Sequence, residues 1–148
     1  MNIYQRLTQD HHTHRELASK ITQTEGDSEE RRSLWNQFKP DVEAHAAAEE
    51  QAFYGIMIQK PEGQDKARHS ISEHEEISEL IEDLGKVDMS SSGWLQKFNK
   101  LKDRLEHHMD EEENEIFKKA EKLIKDDKAL ELADTFDKRK KEELSSRK

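Results

Sequence analysis

Cysteine is absent from this 148-residue chain, which removes disulfides, thiolate metal sites, iron–sulfur clusters and cysteine nucleophiles at once. Only two prolines and five glycines interrupt it, so most of the chain is free to run as long helices. No apolar run approaches the ~20 residues that cross a bilayer. The opening stretch MNIYQRLTQD lacks the apolar centre of a signal peptide. A soluble cytoplasmic protein without a membrane partner is therefore expected. Basic surface is scarce as well: the formal net charge is −9, and the basic residues gather only in the short terminal cluster Arg139, Lys140 and Lys141. A nucleic-acid partner is not expected.

What the chain has in quantity is charge, at 40% of residues against 31% hydrophobic. Such a balance suits a disordered chain, because little apolar surface is available to offset conformational entropy. Placement argues otherwise, since the Trp, Phe, Leu and Ile residues recur at helical spacing. The length suits one domain with a real core. Four helical segments are read from this periodicity. The first, about residues 2 to 23, carries Ile3, Leu7, His11, His14, Leu17, Ala18 and Ile21 on one stripe. TEGDSEE breaks it, and Asp27 or Ser28 can cap the second, which runs to about Gln59 with Leu34, Phe38, Val42, His45, Glu49, Phe53 and Ile56 in register. Pro40 falls inside that stripe and is expected to kink or split it.

KPEGQD separates the third segment, whose inner face reads Ala67, Ser70, His74, Ile77, Ile81 and Leu84. GKVDMSSSG is a loop, one of whose serines caps the fourth segment, with Phe98, Leu101, Leu105, His108, Glu112 and Ile116 on its stripe. Short connections between long helices favour antiparallel neighbours, and no strand-like alternation competes. The expected fold is all-α: an up-down antiparallel four-helix bundle over residues 1–125. Residues 126–148 then form a short, charged fifth helix or tail, docked by Leu130, Ala133 and Phe136.

Each of the four stripes contains a histidine at mid-length, and two contain a glutamate four residues later. Positions i and i+4 share a helix face. His45 with Glu49, and His108 with Glu112, therefore each present an imidazole and a carboxylate in the direction their apolar neighbours point. Buried carboxylates that lack a partner are costly, and two near one axis repel each other. A metal ion removes both objections, and this donor set suits iron, manganese or zinc. The pairs also form an internal repeat: HAAAEEQAFY (45–54) and HMDEEENEIF (108–117) match in the histidine, two adjacent glutamates and two bulky apolar places. That alignment, with helical phase, selects His108 over His107, which falls with Lys100, Arg104 and Glu111 on the polar side. His14 shares the first stripe and is a further candidate nitrogen ligand or supporting group. His69, about 140° around its helix from His74 at 3.6 residues per turn, is a weaker one, and His12 reads as surface.

In these motifs the chain resembles the hemerythrin-like, or HHE cation-binding, family. DHHTH places a ligand position on His11, HAAAEEQAFY on His45 and Glu49, SEHEEISELIEDL on His74, and LEHHMDEEENEIFKKAEK on His108 and Glu112. The resemblance extends over most of residues 3–123. It implies a di-iron centre, two Fe ions bridged by Glu49 and Glu112 and by an oxo or hydroxo group, with His11, His45, His74 and His108 as terminal ligands. Zinc or manganese would accept the same donors. One departure stands out. Oxygen-carrying relatives have a His-x-x-x-His pair in the third helix, whereas Ser70 and Ser78 flank His74 here. His14 or His69 is the candidate replacement. With fewer protein ligands, the resemblance implies binding of or reaction with a small ligand (O2, NO or peroxide) rather than plain oxygen carriage. An iron-responsive sensor or store, and a metal-free helical interaction module, are the alternatives. Ferritin-like sites need Glu-x-x-His pairs, and no histidine here has a glutamate three residues before it.

Overall fold

In a computed structural model the chain is described over residues 1–147. Helix α1 (Ile3–Ile21) starts at Asn2, whose side chain accepts from Gln5 N while the Gln5 side chain accepts from Asn2 N, a reciprocal capping box. Helix α2 (Glu29–Glu49) is capped by Ser28, which accepts from Arg31 N. It passes into a π-helical turn, Glu50–Tyr54, and a last short turn, α3 (Gly55–Met57). After a 3₁₀ turn (Pro61–Gly63) come α4 (Gln64–Gly85) and, capped by Ser91, α5 (Ser92–Glu111). A second π turn, Glu112–Ile116, leads to α6 (Phe117–Ala120), and α7 (Asp126–Ser146) closes the fold. No strand occurs among the described residues.

Two expectations need correction here. Pro40 does not split α2, which is continuous from Glu29 to Glu49. A proline denies a donor to the carbonyl four residues back, here that of Asn36, and Asn36 is exposed, so water can take the bond. The charged terminal segment forms a fifth long element of the fold, the helix Asp126–Ser146. Ala133 and Phe136 do dock it, but Leu130 is exposed, and Ala129 and Leu132 face inward instead.

Two separate apolar clusters set the direction of each helix. One contains Leu7 of α1, Ala48 of α2, Ala67 of α4, Ile116 and Phe136. The other contains Ala18 and Ile21 of α1, Phe38 and Val42 of α2, Ile77 and Ile81 of α4, and Phe98 and Leu105 of α5. So α1 and α4 run from the first cluster to the second, α2 and α5 run back, and the four form an up-down bundle. Between the clusters every one of the four helices carries polar residues into the interior. Helix α7 lies across α2 and α1, with Phe136 in the first cluster and a buried lysine, Lys140, one turn further on at the level of the polar layer.

Candidate metal centre

The polar layer holds six buried side chains: His11 from α1, His45 and Glu49 from α2, His74 from α4, His108 from α5 and Glu112 at the start of the second π turn. Helical spacing puts each histidine–glutamate pair on one face, and the chain widens to a π turn directly after Glu49 and at Glu112. Single π turns of this kind are frequent at functional sites.

The six converge as two overlapping groups. His11, His45, Glu49 and Glu112 offer donor atoms within 4.8 Å of one another, and so do Glu49, His74, His108 and Glu112. The two glutamates belong to both. His11 Nε2 lies 3.0 Å from Glu112 Oε1, and His74 Nε2 lies 3.0 Å from Glu49 Oε1. His108 Nε2 is 3.4 Å from Glu112 Oε1, and His45 Nε2 is 3.9 Å from Glu49 Oε2. The Nε2 atoms of His74 and His108 stand 3.1 Å apart.

Behind each imidazole stands a carboxylate. His11 Nδ1 is 2.6 Å from Glu113, His45 Nδ1 2.7 Å from Asp10, His74 Nδ1 2.8 Å from Glu50, and His108 Nδ1 2.7 Å from Glu73. A ring that donates through Nδ1 keeps the Nε2 lone pair for the interior, the arrangement that carboxylates impose on metal-binding histidines. Each carboxylate is the sequence neighbour of a layer residue on another helix. Asp10 precedes His11 but serves His45; Glu50 follows Glu49 but serves His74; Glu73 precedes His74 but serves His108; Glu113 follows Glu112 but serves His11. The ring of contacts thereby ties α1, α2, α4 and α5 together pair by pair.

Burial and mutual interaction shift the titrating groups of this layer strongly. Burial pushes Glu49 well above the ordinary carboxylate range, and the neighbouring charge of Glu112 adds to it. Burial acts against Glu112 too, but His108 and His11 outweigh it and hold that carboxylate well below its ordinary range. His11 resists burial through Glu112 and Glu113 and is raised to about 9, whereas burial takes His45 down to about 3 in spite of Asp10. Four facing atoms, His11 Nε2, both oxygens of Glu49 and Oε1 of Glu112, have no hydrogen-bond partner. Unpaired buried polar atoms are costly. Four imidazoles and two shared carboxylates with free, converging lone pairs are a donor set suited to one or two borderline divalent ions, so the residues present fit a metal.

The remaining histidines stand elsewhere. His14 is buried, edge-on to His45, but its Nε2 is 2.7 Å from Asp41, and it belongs to neither of the two groups that share the glutamates. Asp41 in turn meets Lys140 at 3.0 Å. His69 is half exposed with its Nε2 at Glu111, and His107 is exposed beside the same glutamate; His12 is exposed. Sequence reasoning missed Asp10, Glu50, Glu73 and Glu113 as supporting groups, although the signal was present as an acid adjacent to a layer residue in all four motifs. It also missed Tyr54, whose hydroxyl donates to Glu112 Oε2, and Lys140, 2.9 Å from Asp10.

Comparison with known proteins places these features in context. The family model described as hemerythrin HHE cation binding domain matches residues 2–120. An uncharacterized hemerythrin-like protein of Schizosaccharomyces pombe is 26% identical over 108 residues, covering 72% of this chain and 53% of that protein. The chain thus spans about half the length of that relative. Among solved structures, an HHE cation-binding domain-containing protein from Mycobacterium kansasii superposes with a TM-score of 0.88 at 24% identity, over 99% of this chain and 89% of its own. At that identity the likeness establishes the shared fold.

Proposed function

The chain belongs to the hemerythrin HHE cation-binding domain family, and from that premise we propose that it binds a pair of iron ions in the polar layer and offers them to a small ligand: O2, NO or peroxide. One observation carries the reading. Two four-donor groups share Glu49 and Glu112, and the shared atoms lack partners of their own. His11 and His45 would hold one ion, His74 and His108 the other, and the two glutamates would serve both. When bound, iron supplies a redox-active Lewis acid with positions left for a small molecule.

The chain's own contribution is orientation and exclusion. The Nδ1 carboxylates fix each ring, and Tyr54 holds Glu112 through Oε2 so that Oε1 stays turned to His11 and His108. Beside the imidazoles lies a cavity of about 20 Å³, walled by Val42, Ala46, Ile77, Leu105 and Met109. That is room for roughly one water-sized molecule, which limits the reacting species by size. Val42, Ala46, His74 and Ile77 also line an open groove of about 370 Å³ between α2 and α4. These four residues are thus the wall between the groove and the inner cavity.

Anaerobic loading with Fe(II) and elemental analysis test the metal reading. Two irons per chain are expected, falling in His45→Ala and in His74→Ala; a folded protein that retains no iron would overturn it. Spectra of the loaded protein under O2, NO and peroxide then test the ligand reading, which is lost if none of the three alters them. A second reading, an iron-responsive sensor, draws on Lys140: it grips Asp10, which holds His45, so occupancy of the layer bears on the seat of α7. Hydrogen exchange in α7 that is identical with and without iron would remove that reading.

A further inference from the structure

Two histidines and two glutamates outside the buried layer form a cluster of their own. His69 and Glu73 are four residues apart on α4, and His107 and Glu111 four residues apart on α5, so each pair shares a helix face. The helices are antiparallel neighbours and bring the pairs together. His69 Nε2 is 2.5 Å from Glu111 Oε1 and 3.5 Å from Glu73 Oε2. His107 Nε2 is 3.4 Å from Glu111 Oε2 and 3.9 Å from Glu73 Oε2. One donor atom from each of His69, Glu73 and Glu111 lies within 4.8 Å of the other two.

An exposed imidazole beside a carboxylate is by itself an ordinary surface pair, worth little. Glu73 makes this cluster different. Its side chain is only 6% exposed, its Oε1 holds His108 Nδ1 at 2.7 Å, and its Oε2 points at the two imidazoles. Among the described residues Oε2 has no hydrogen bond: the contacts at 3.5 and 3.9 Å are too long. A carboxylate held from behind by His108 thus turns its second oxygen toward two solvent-facing nitrogens, a set of donors open to a cation.

We propose that His69, Glu73, His107 and Glu111 form a separate surface site for a divalent cation of the zinc or ferrous type. The donor chemistry sets that class, because two imidazoles with two carboxylates suit borderline ions better than magnesium or calcium. The spacing agrees: ligands at about 2.0–2.2 Å from a tetrahedral zinc stand roughly 3.3–3.6 Å from one another. The four contacts straddle that range, and both half-exposed histidines need only small rotations to meet it. Solvent reaches the site directly. Through Glu73, an ion held there sits one carboxylate away from His108. The site requires only these four side chains and stands whether or not the buried layer takes iron.

The test is a Co(II) titration of the full chain, followed by visible spectroscopy and equilibrium dialysis, against the double variant His69→Ala/His107→Ala. Wild type should bind one Co(II) more than the double variant, and each single variant should weaken that extra ion tenfold or more. Both histidines are exposed, so an unchanged melting temperature before metal is added shows that the variants fold. Equal stoichiometry and affinity in wild type and double variant would overturn the proposal. Ions retained by the double variant report on the buried layer instead, so failure of one site is separable from failure of the other.

Discussion

Lys140 sets its ammonium 2.9 Å from Oδ2 of Asp10, the same oxygen that takes the Nδ1 hydrogen of His45. One carboxylate thus joins the terminal helix to the polar layer, and Asp41, 3.0 Å from the same ammonium, adds a branch to His14. Lys140 is buried, and removing one member of a buried charge cluster leaves the others uncompensated, at a cost of about 3 kcal/mol. Lys140→Met should therefore lower the melting temperature and loosen α7 while leaving most of the metal affinity. Thermal unfolding and limited proteolysis of α7 check this; an unchanged melting temperature would show that the ammonium is dispensable.

Glu49→Gln should make the metal-free protein more stable and the metal-bound protein less so. Burial and the charge of Glu112 hold Glu49 well above the ordinary carboxylate range. Such a group favours folding below its ordinary pKa, and that contribution fades as pH rises through the folded value. An isosteric amide carries no charge and escapes the penalty at neutral pH, a gain on the order of 1 kcal/mol or more. It is also a poor ligand for an ion. Melting curves at pH 7 with and without Fe(II) or Zn(II) should cross over between wild type and variant; curves that keep the same order in both conditions would count against Glu49 as a shared donor.

The balance of sequence and structure is clearest at the repeat 45–54 and 108–117. Spacing alone placed His45, Glu49, His108 and Glu112 on apolar stripes, and apolar stripes face inward whichever helices they meet. What spacing does not carry is the rotation of each ring or the partner behind it. Glu50 serves His74 and Glu73 serves His108 across helix boundaries, and such pairings exist only once the helices are docked. His14 shows the same limit from the other side. It lies on the expected stripe and is buried, yet Asp41 of α2 turns its Nε2 aside. Lys140 belongs to the basic cluster of a charged helix, where a lysine is ordinarily solvated; the fold instead sets it between buried Asp10 and half-buried Asp41.

Tyr54→Phe removes a single hydroxyl from a fully buried ring. Its donation to Glu112 Oε2 is a hydrogen bond to a charged group, and losing it should cost about 1.5–3 kcal/mol. Glu112 then gains freedom to rotate, so the ultraviolet–visible spectrum of the iron-loaded form should shift while its iron content stays the same. A variant with wild-type stability and spectrum would show that the hydroxyl does not position Glu112.

Phe38→Ala separates stability from the polar layer. Phe38 is fully buried in the second apolar cluster, stacked on Trp35 and edge-on to Phe98. Truncating such a ring costs about 3–5 kcal/mol. Metal stoichiometry, measured well below the lowered melting temperature, should be unchanged, because the histidine paired with that ring is His14, which stands outside the six-residue layer. Loss of metal in the folded variant would mean that the two ends of the bundle are more tightly coupled than their separate clusters suggest.

His11 supplies the pH dependence. Glu112 and Glu113 outweigh burial and raise it from 6.5 to about 9, so without an ion the ring keeps its proton at neutral pH. A raised pKa stabilises the metal-free fold fully below pH 6.5, and that contribution is lost as pH rises through about 9. Metal binding runs the opposite way, because an ion needs the Nε2 lone pair and must displace the proton. Between pH 6.5 and 9 the metal-free melting temperature should fall. Over the same window the affinity for Zn(II), measured against a competing chelator, should climb by about tenfold per pH unit or more, with proton release into a weak buffer. His11→Gln should flatten the fall in melting temperature along with the rise in affinity. An affinity independent of pH across that window would mean that His11 surrenders no proton, and so does not face the ion.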